Sequence, residues 1–587
     1  MLLLLCSLVP FQAQAASHTV LHSFTGVDGA DPSAPLVEGS DGNFYGTASS
    51  GGTNCTLPDG SSQPCGTVFK ITTAGVLTKL HDFTGFYTGT TGGNSDGADP
   101  ESNLVQGSDG NFYGTTRLGG TNYQGIVFRI SPTGAFTTLH SFGGSDGKEP
   151  DGDLVLGSAG NFFGTTTSGG THNCGTVFEI TPNGTLTTLY SFDCGGGGNN
   201  AIPASLVIGR DGNFYGTTIS FRGTVFKLTP AGVLTTLHAF TGSDGDTPRH
   251  ALVQHNDGNF YGTTAFGGAS NYGTVFKISP AGAFTLLHEF TGGDGTKPFG
   301  GLVKGGDGNY YGTTSEDLVH GAGTAFKITP TGALTTLFYF GSSDGREPVA
   351  PMVLRSDGNF YGTTAQGGLN GQGTVFRIYG PPIWLEPPTP AALSDFFLQI
   401  GQPFGQAFRA SSSDPNAHVH IGNNNSSDLR GPRGAALTSF DGNPGNATFQ
   451  WTPDSTQVGD YTMTFTATDD RVPPLSAESR SIVLHVRRPS TMVANAEILQ
   501  VLPTEIHLRM TATLTSAGAP LGGKLIKFTT NSGGALCSAT TDANGHAGCG
   551  SVLGALRVNL GFTATFDGDR VYLGSTARGP LIRVVGP

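Results

Sequence analysis

Charge is what this sequence has least of. Asp, Glu, Lys and Arg make up 12% of the 587 residues, about half the usual share, and no Lys/Arg cluster or basic face interleaved with aromatics occurs. With a net charge of −13, this argues against nucleic acid as a partner. Beyond the opening residues no stretch of 18 apolar residues occurs, so no membrane span is expected. No C-x-x-C zinc spacing, no paired carboxylates and no Ser/His/Asp order stands out. Glycine is what the chain has in excess: 93 residues, about 16% where roughly 7% is usual. So much Gly penalises helices and leaves an all-β chain with many tight turns, in two to four domains at this length.

The apolar run Met1 to Pro10 is followed by Ala13-Gln14-Ala15, the small-x-small form of a signal peptidase site. Residues 1–15 therefore read as a signal peptide, and the mature protein as secreted or displayed on the cell surface. Cys6 leaves with the signal. The other six cysteines form three near pairs, Cys55 with Cys65, Cys174 with Cys194 and Cys537 with Cys549; an even count in an exported chain predicts disulfides.

The string SDGNFYGT, or a near variant, recurs with its Asn at positions 43, 111, 161, 213, 259, 309 and 359. Seven copies of a unit of about fifty residues, without helical periodicity, predict a propeller or a β-solenoid. Each copy divides into four short apolar runs separated by Asp-Gly, Gly-Gly and Pro-x-Gly turns, and four antiparallel strands per unit is the blade of a propeller. The chain opens on a lone fourth-strand sequence, His18 to Phe24, and the seventh copy stops after its third strand at Ile378. The strand counts balance if the N-terminal strand completes the last blade, which also removes an open sheet edge. In such a fold the fourth-to-first and second-to-third connections share one rim; these are the long, variable ones, where binding usually resides.

These strings closely resemble the GloVer tandem repeat of bacterial exported and surface proteins over about residues 17 to 380, which implies a bacterial exported repeat protein. Past Tyr379 the repeat stops in a Pro-rich junction. Phe449 to Ser476 resemble the Ig and cadherin-like domains of bacterial surface proteins, with Tyr461 similar to a tyrosine corner, a packing device. The last segment, with GAPLGGKLIKFT, CSATTDANGHAGC and FDGDRVYLGSTA, resembles a bacterial Ig-like domain; a turn centred on Ala543 sets Cys537 and Cys549 facing across a hairpin. The expected architecture is all-β: a seven-bladed β-propeller over 16–380, then two Ig-like β-sandwich domains at 381–488 and 489–587.

Repetition itself serves the fold. The histidines at 22, 81, 140, 238 and 288 share one fourth-strand position and read as packing or an outer hydrogen bond, and the Asp of each SDGN string as a turn residue. A second Asp-Gly in the fourth-to-first loops reads as a turn, with calcium the alternative. The cadherin-like resemblance makes Asp414, Asp469 and Asp470 candidate Ca2+ ligands. Departures from the repeat in the second-to-third loops are the candidate ligand-binding residues: Asn122, Tyr123, Asn173, Arg222, Asn271, Tyr272, Glu316, Asp317 and His320. Asn beside exposed Tyr suits a sugar, with Tyr123 and Tyr272 stacking on it.

The expected function is an exported extracellular or cell-surface binding or adhesion protein whose partner is a glycan, an envelope polysaccharide or another surface protein. A secreted carbohydrate-active enzyme, lyase or hydrolase, is the alternative, using Arg222, Arg249, Glu316, Asp317 and His320; a structural envelope protein is a third. Two acids or an Arg cluster converging in a rim pocket would favour the enzyme, and a flat, wet rim the binding protein.

Overall fold

The computed structural model describes residues 18–56, 62–84, 96–193, 202–385, 389–391, 394–423, 433–470, 475–477, 479–501, 505–531, 534–554 and 562–578. The signal-peptide reading of 1–15 lies outside them. The described residues are all-β, without a helix. They divide into two units, one carrying the repeats up to Pro381 and one holding most of the chain beyond it.

The repeat unit holds seven four-stranded antiparallel sheets. In the second, Val105–Gln106, Phe112–Thr116, Ile126–Ile130 and Phe136–Ser141 pair in chain order. The first turn is made by the Asp109 carboxylate, which accepts the Asn111 backbone N–H at 3.1 Å, its side-chain amide at 2.7 Å and the Tyr113 hydroxyl at 2.9 Å. The turn after the third strand needs Gly134. Its φ is 94°, and a Cβ there would come within 2.8 Å of the Leu80 carbonyl oxygen on the preceding sheet. Second and third strands are almost wholly buried while the fourth is half-exposed.

One sheet departs from this turn in three coordinated places. In the first and fourth sheets the turn Asp lies near a third-strand cation, Lys70 2.8 Å from Asp41 and Lys227 3.1 Å from Asp211. Burial alone would raise the Asp41 carboxyl, but hydrogen bonds from Lys70, Asn43 and Tyr45 outweigh it and hold it far below the usual carboxylate range. In the third sheet the Asp is Ala159, the Tyr is Phe163 and the cation is Glu179. Glu179 takes over as acceptor, 2.6 Å from the Asn161 side-chain amide. A carboxylate there removes the need for the turn Asp, and without that Asp a Tyr hydroxyl would lack its acceptor.

The seventh sheet takes its fourth strand from the other end of the repeats: His18–Ser23 pairs antiparallel with Thr374–Ile378, as the strand count predicts. Aromatic pairs join successive sheets, with ring centroids 3.9 to 4.8 Å apart: Tyr45 with Phe112, Tyr113 with Phe162, Phe163 with Phe214, Tyr215 with Phe260, Tyr261 with Tyr310 and Tyr311 with Phe360. Tyr361 of the seventh then meets Phe44 of the first at 4.4 Å. Such pairs contribute roughly 0.5–1.5 kcal/mol each beyond their buried area. Arg355 also ties the seventh sheet to the first, through Glu38 at 2.8 Å and the Gly42 carbonyl at 3.3 Å.

The second unit begins with two four-stranded sheets around one core that includes Phe408, Phe449, Trp451, Phe465 and Leu484. Tyr461 packs edge-on to Trp451 at 5.1 Å, and Trp451 Nε1 donates to the Arg433 carbonyl at 3.2 Å. The last part forms two further sheets around Met510, Leu514, Phe528 and Phe562. Cys537 and Cys549 are bonded, with Cα atoms 6.4 Å apart, but not across a hairpin ladder. The turn from Asp542 to Gly545 is present, yet Ala535–Thr540 pairs with Leu525–Thr530 and His546–Gly554 with Glu505–Ser516. The disulfide therefore joins two sheets. Cys65 and Cys174 each take part in a disulfide of their own; the side chains of Cys55 and Cys194, their expected partners, lie outside the described residues.

Deleting His18 to Phe24 should lower the melting temperature of the repeat unit by on the order of 10 °C, because one sheet loses a strand and the aromatic circuit its support; unchanged melting by calorimetry contradicts this. Ala159→Asp alone places a second carboxylate near Glu179 and should cost about 1 kcal/mol in chemical denaturation. Adding Phe163→Tyr and Glu179→Lys should recover most of it, and a triple variant no more stable than the single one rules the compensation out.

Candidate functional site

The two variable connections lie side by side. Isolated antiparallel bridges tie the fourth-to-first loop to the second-to-third loop in six sheets: Ala30 to Ser50, Ala98 to Leu118, Lys148 to Ser168, Asp246 to Phe266, Thr296 to Glu316 and Arg346 to Gln366.

The nine ligand-binding candidates are spread over five sheets, the second to the sixth. Tyr123, Asn173, Arg222 and Asn271 have positive φ, at 58°, 59°, 71° and 57°. The Asn122 side chain donates to the Phe142 carbonyl at 3.0 Å, and Asn271 Oδ1 accepts the Gly267 N–H at 2.9 Å. Tyr272 packs against the core of Tyr261, Phe290 and Phe326. Glu316 pairs with Lys297 at 2.8 Å, and the His320 ring leans on Tyr339 at 4.9 Å. Asp317 is buried; burial raises its carboxyl, but the N–H groups of His320, Gly323, Val319 and Ala322 outweigh that and bring it below its ordinary value. These contacts organise local turns, and none of the nine lines the cavity described below.

The repeated His and loop Asp are partners. His22, His81, His140, His238 and His288 place Nε2 2.7 to 2.9 Å from Asp28, Asp96, Asp146, Asp244 and Asp294. The other oxygen of each Asp caps its loop, as Asp28 accepts the Thr25 N–H at 2.8 Å. Among the described residues no group of three or more His, Cys, Asp or Glu is placed to hold a metal ion, so Asp414, Asp469 and Asp470 do not make such a set. Asp470 lies 3.0 Å from His418 Nδ1.

Seven side chains that converge come from one position of the repeat. Ser33, Glu101, Asp151, Pro203, Arg249, Phe299 and Val349, one per sheet, line a single cavity of about 220 Å3 with Asp153, His250 and Thr167 among their neighbours. In six sheets this position directly follows the loop proline, as Glu101 follows Pro100 and Arg249 follows Pro248. The second-strand threonines fix it: Thr115 donates to the Pro150 carbonyl at 3.3 Å, Thr313 to Pro348 at 3.0 Å, and Thr363 of the seventh sheet to Ala34 of the first at 3.2 Å. A second cavity, lined by Asp31, Ser49 and Asp99, shares Glu101 with the first.

The cavity strains its acids. Burial, then the charges of Asp99 and Asp151, push the Glu101 carboxyl up to about 8. Burial raises Asp153 to about 6 although it accepts the Asn103 N–H at 3.0 Å. Asp99 is raised by burial too, against the pull of Arg117 at 3.3 Å. Burial, then the neighbouring Arg249 charge, lower His250 to about 4 and keep it neutral. The Arg249 guanidinium sits 5.7 Å from the centre of the Phe299 ring. Two acids do converge here, assembled from residues that sequence reasoning passed over; of the proposed catalytic residues only Arg249 takes part.

The sequence matches the Gloeobacter/Verrucomicrobia repeat model over residues 8–222 and 219–381. The chain belongs to this family. The Gloeobacter/Verrucomicrobia repeat thus covers the unit that holds the cavity, in agreement with the resemblance of the DGNFYGT strings. No curated protein matches the chain. Among solved structures, a Bacteroides uniformis protein proposed to be a 6-phosphogluconolactonase has a TM-score of 0.38 at 17% identity, covering 56% of this chain and 91% of its own. Fibronectin(III)-like modules of Clostridium thermocellum CbhA have a TM-score of 0.20 at 15% identity, covering 34% and 92%. At these TM-scores the likenesses carry no argument about this chain.

The folded protein holds the Glu101 proton more tightly than an unfolded chain, so this group's contribution to stability falls as pH rises from the ordinary Glu value of 4.5 to about 8. Glu101→Gln removes that loss. Its melting temperature relative to the parent should therefore be higher at pH 9 than at pH 5, and equal differences at the two pH values would show that the proton is not held.

Proposed function

We propose that the repeat unit of this family member is a seven-bladed β-propeller, closed by its N-terminal strand, and that its axial cavity binds a saccharide. Seven sheets each joined to the next, with the last returning to the first, support the propeller. The two pairs of sheets in the second unit are read as Ig-like domains serving as spacers or adhesive units. Disulfide-bonded Cys65, Cys174, Cys537 and Cys549 favour an exported destination.

The observation that carries the binding reading is the cavity built from the one repeat position that differs in all seven copies. Carboxyl groups, a guanidinium, a hydroxyl and the Phe299 ring face one space of about 220 Å3. Mixed hydrogen-bonding groups beside an aromatic face suit a polyhydroxylated ring. This reading moves the ligand from Tyr123 and Tyr272 of the outer loops to the axis. A second reading, the carbohydrate-active enzyme, is favoured by two carboxyl groups, Glu101 and Asp151, lining the same cavity.

A glycan array probed with the full chain should give a saccharide whose affinity falls about tenfold or more, about 1.4 kcal/mol, in Arg249→Ala and in Phe299→Ala, with melting temperature nearly unchanged. Tyr123→Ala and Tyr272→Ala should leave binding intact. The opposite pattern would return the ligand to the outer loops.

A further inference from the structure

We propose that the saccharide seated in the axial cavity is a uronate, its carboxylate held by the Arg249 guanidinium and one face of its ring lying against Phe299. This deepens the saccharide reading of that cavity and rests on it.

Among the described residues Arg249 is the one Lys or Arg lining the cavity. It is exposed there, and none of its guanidinium N–H groups has an acceptor among the described residues. Other cations beside the loops are paired: Arg117 lies 3.3 Å from Asp99 and Lys297 2.8 Å from Glu316. Arg249 instead lies 5.7 Å from the centre of the Phe299 ring, a contact that leaves its charge without a counter-ion. Its backbone is pinned. The Thr247 N–H donates to the Arg222 carbonyl at 3.0 Å, the Thr247 carbonyl accepts the Ala265 N–H at 3.0 Å, and Pro248 restricts the chain between Thr247 and Arg249. A firmly placed loop thus presents an unpaired cation beside an aromatic face.

The rest of the wall selects the anion. Glu101 and Asp151 line the same space, and a dianion such as a phosphate monoester would be repelled by them about twice as strongly as a monoanion. A planar carboxylate also matches the guanidinium fork through two parallel hydrogen bonds. An amino sugar would set its ammonium on the acid wall, but that wall has its own cation in Arg117, and Asp153 already accepts the Asn103 N–H at 3.0 Å. Arg249 would stay bare. A uronate serves both walls, with its carboxylate on the guanidinium, its hydroxyls on the carboxyl groups and the C–H face of its ring on Phe299.

The test is calorimetry on the full chain at pH 6.5 with trimers of galacturonate, mannuronate and guluronate, the methyl esters of the same trimers, cellotriose, xylotriose and the glucosamine trimer. At least one uronate trimer should bind about tenfold or more tightly than its methyl ester, which keeps the ring and loses the charge. Arg249→Gln should abolish that preference and leave affinity for the ester nearly unchanged, while Phe299→Ala should weaken acid and ester alike. Both variants should melt as the parent does. Equal binding of acid and ester by the parent, or tighter binding of cellotriose, xylotriose or the glucosamine trimer, overturns the uronate and leaves the saccharide reading standing; this comparison needs no substitution and decides even if a variant fails to fold. A preference for the uronate that survives Arg249→Gln overturns the assignment of its carboxylate to Arg249. Binding of none of the trimers removes the saccharide reading and the uronate with it.

Discussion

The FYGT strand fixes every other relation in the repeat unit. Its first two aromatic positions reach the neighbouring sheets on either side, and its Thr hydroxyl reaches the loop of the next sheet. The glycine between them is a spatial requirement: a Cβ on Gly114 would stand 2.7 Å from the Phe128 ring of the third strand. One five-residue strand thereby sets the pairing within its own sheet, the packing against its neighbours and the height of the loop beyond. When the aromatic relation recurs seven times and the last meets the first, with the hydroxyl relation made in five sheets, the position that follows the loop proline in six sheets is carried into one cavity in all seven.

That geometry divides the labour between repeated and unrepeated residues. The His and Asp pairs recur in five sheets and the Asp of the SDGN turn in six because they build the fold, and the third sheet shows how the turn is replaced: Ala159, Phe163 and Glu179 depart together and still satisfy Asn161. The cavity position has no such duty. Ser, Glu, Asp, Pro, Arg, Phe and Val occupy it in turn, which turns a symmetric scaffold into a site with acids from the second and third sheets and a cation and a ring from the fifth and sixth.

Strand number, turn chemistry and the return of the N-terminal strand were legible because each is a local pattern counted seven times. The site was not, since Glu101 and Asp151 stand fifty residues apart and only the stacking of sheets brings them together. Their signal was present as a column: directly after an invariant Pro in six copies, residues of every chemical type. Asn122, Tyr123 and Asn271 drew attention instead because they sit in Gly-rich loops, but those loops tolerate change by building turns of their own, with positive φ and side chains bonded to nearby backbone. The Cys537 and Cys549 spacing foretold a bond but not its geometry, because the strand that captures His546–Gly554, Glu505–Ser516, lies some forty residues upstream.

Local rules hold almost everywhere in the repeat unit: each turn has its glycine, the carboxylates of the SDGN turns and of the His-paired loops have donors, and each sheet has its ring contacts. They fail together in the cavity, where Glu101 stands against Asp151 and Asp99, Asp153 is buried, and a neutral His250 neighbours Arg249. A serine or valine, as at positions 33 and 349, meets the demands of the fold at this place without the cost of like charges in a buried setting. The scaffold's seven interlocked contacts supply stability enough to tolerate that cost, and a cost concentrated in one concave, chemically mixed space is where a binding or reacting group is to be sought.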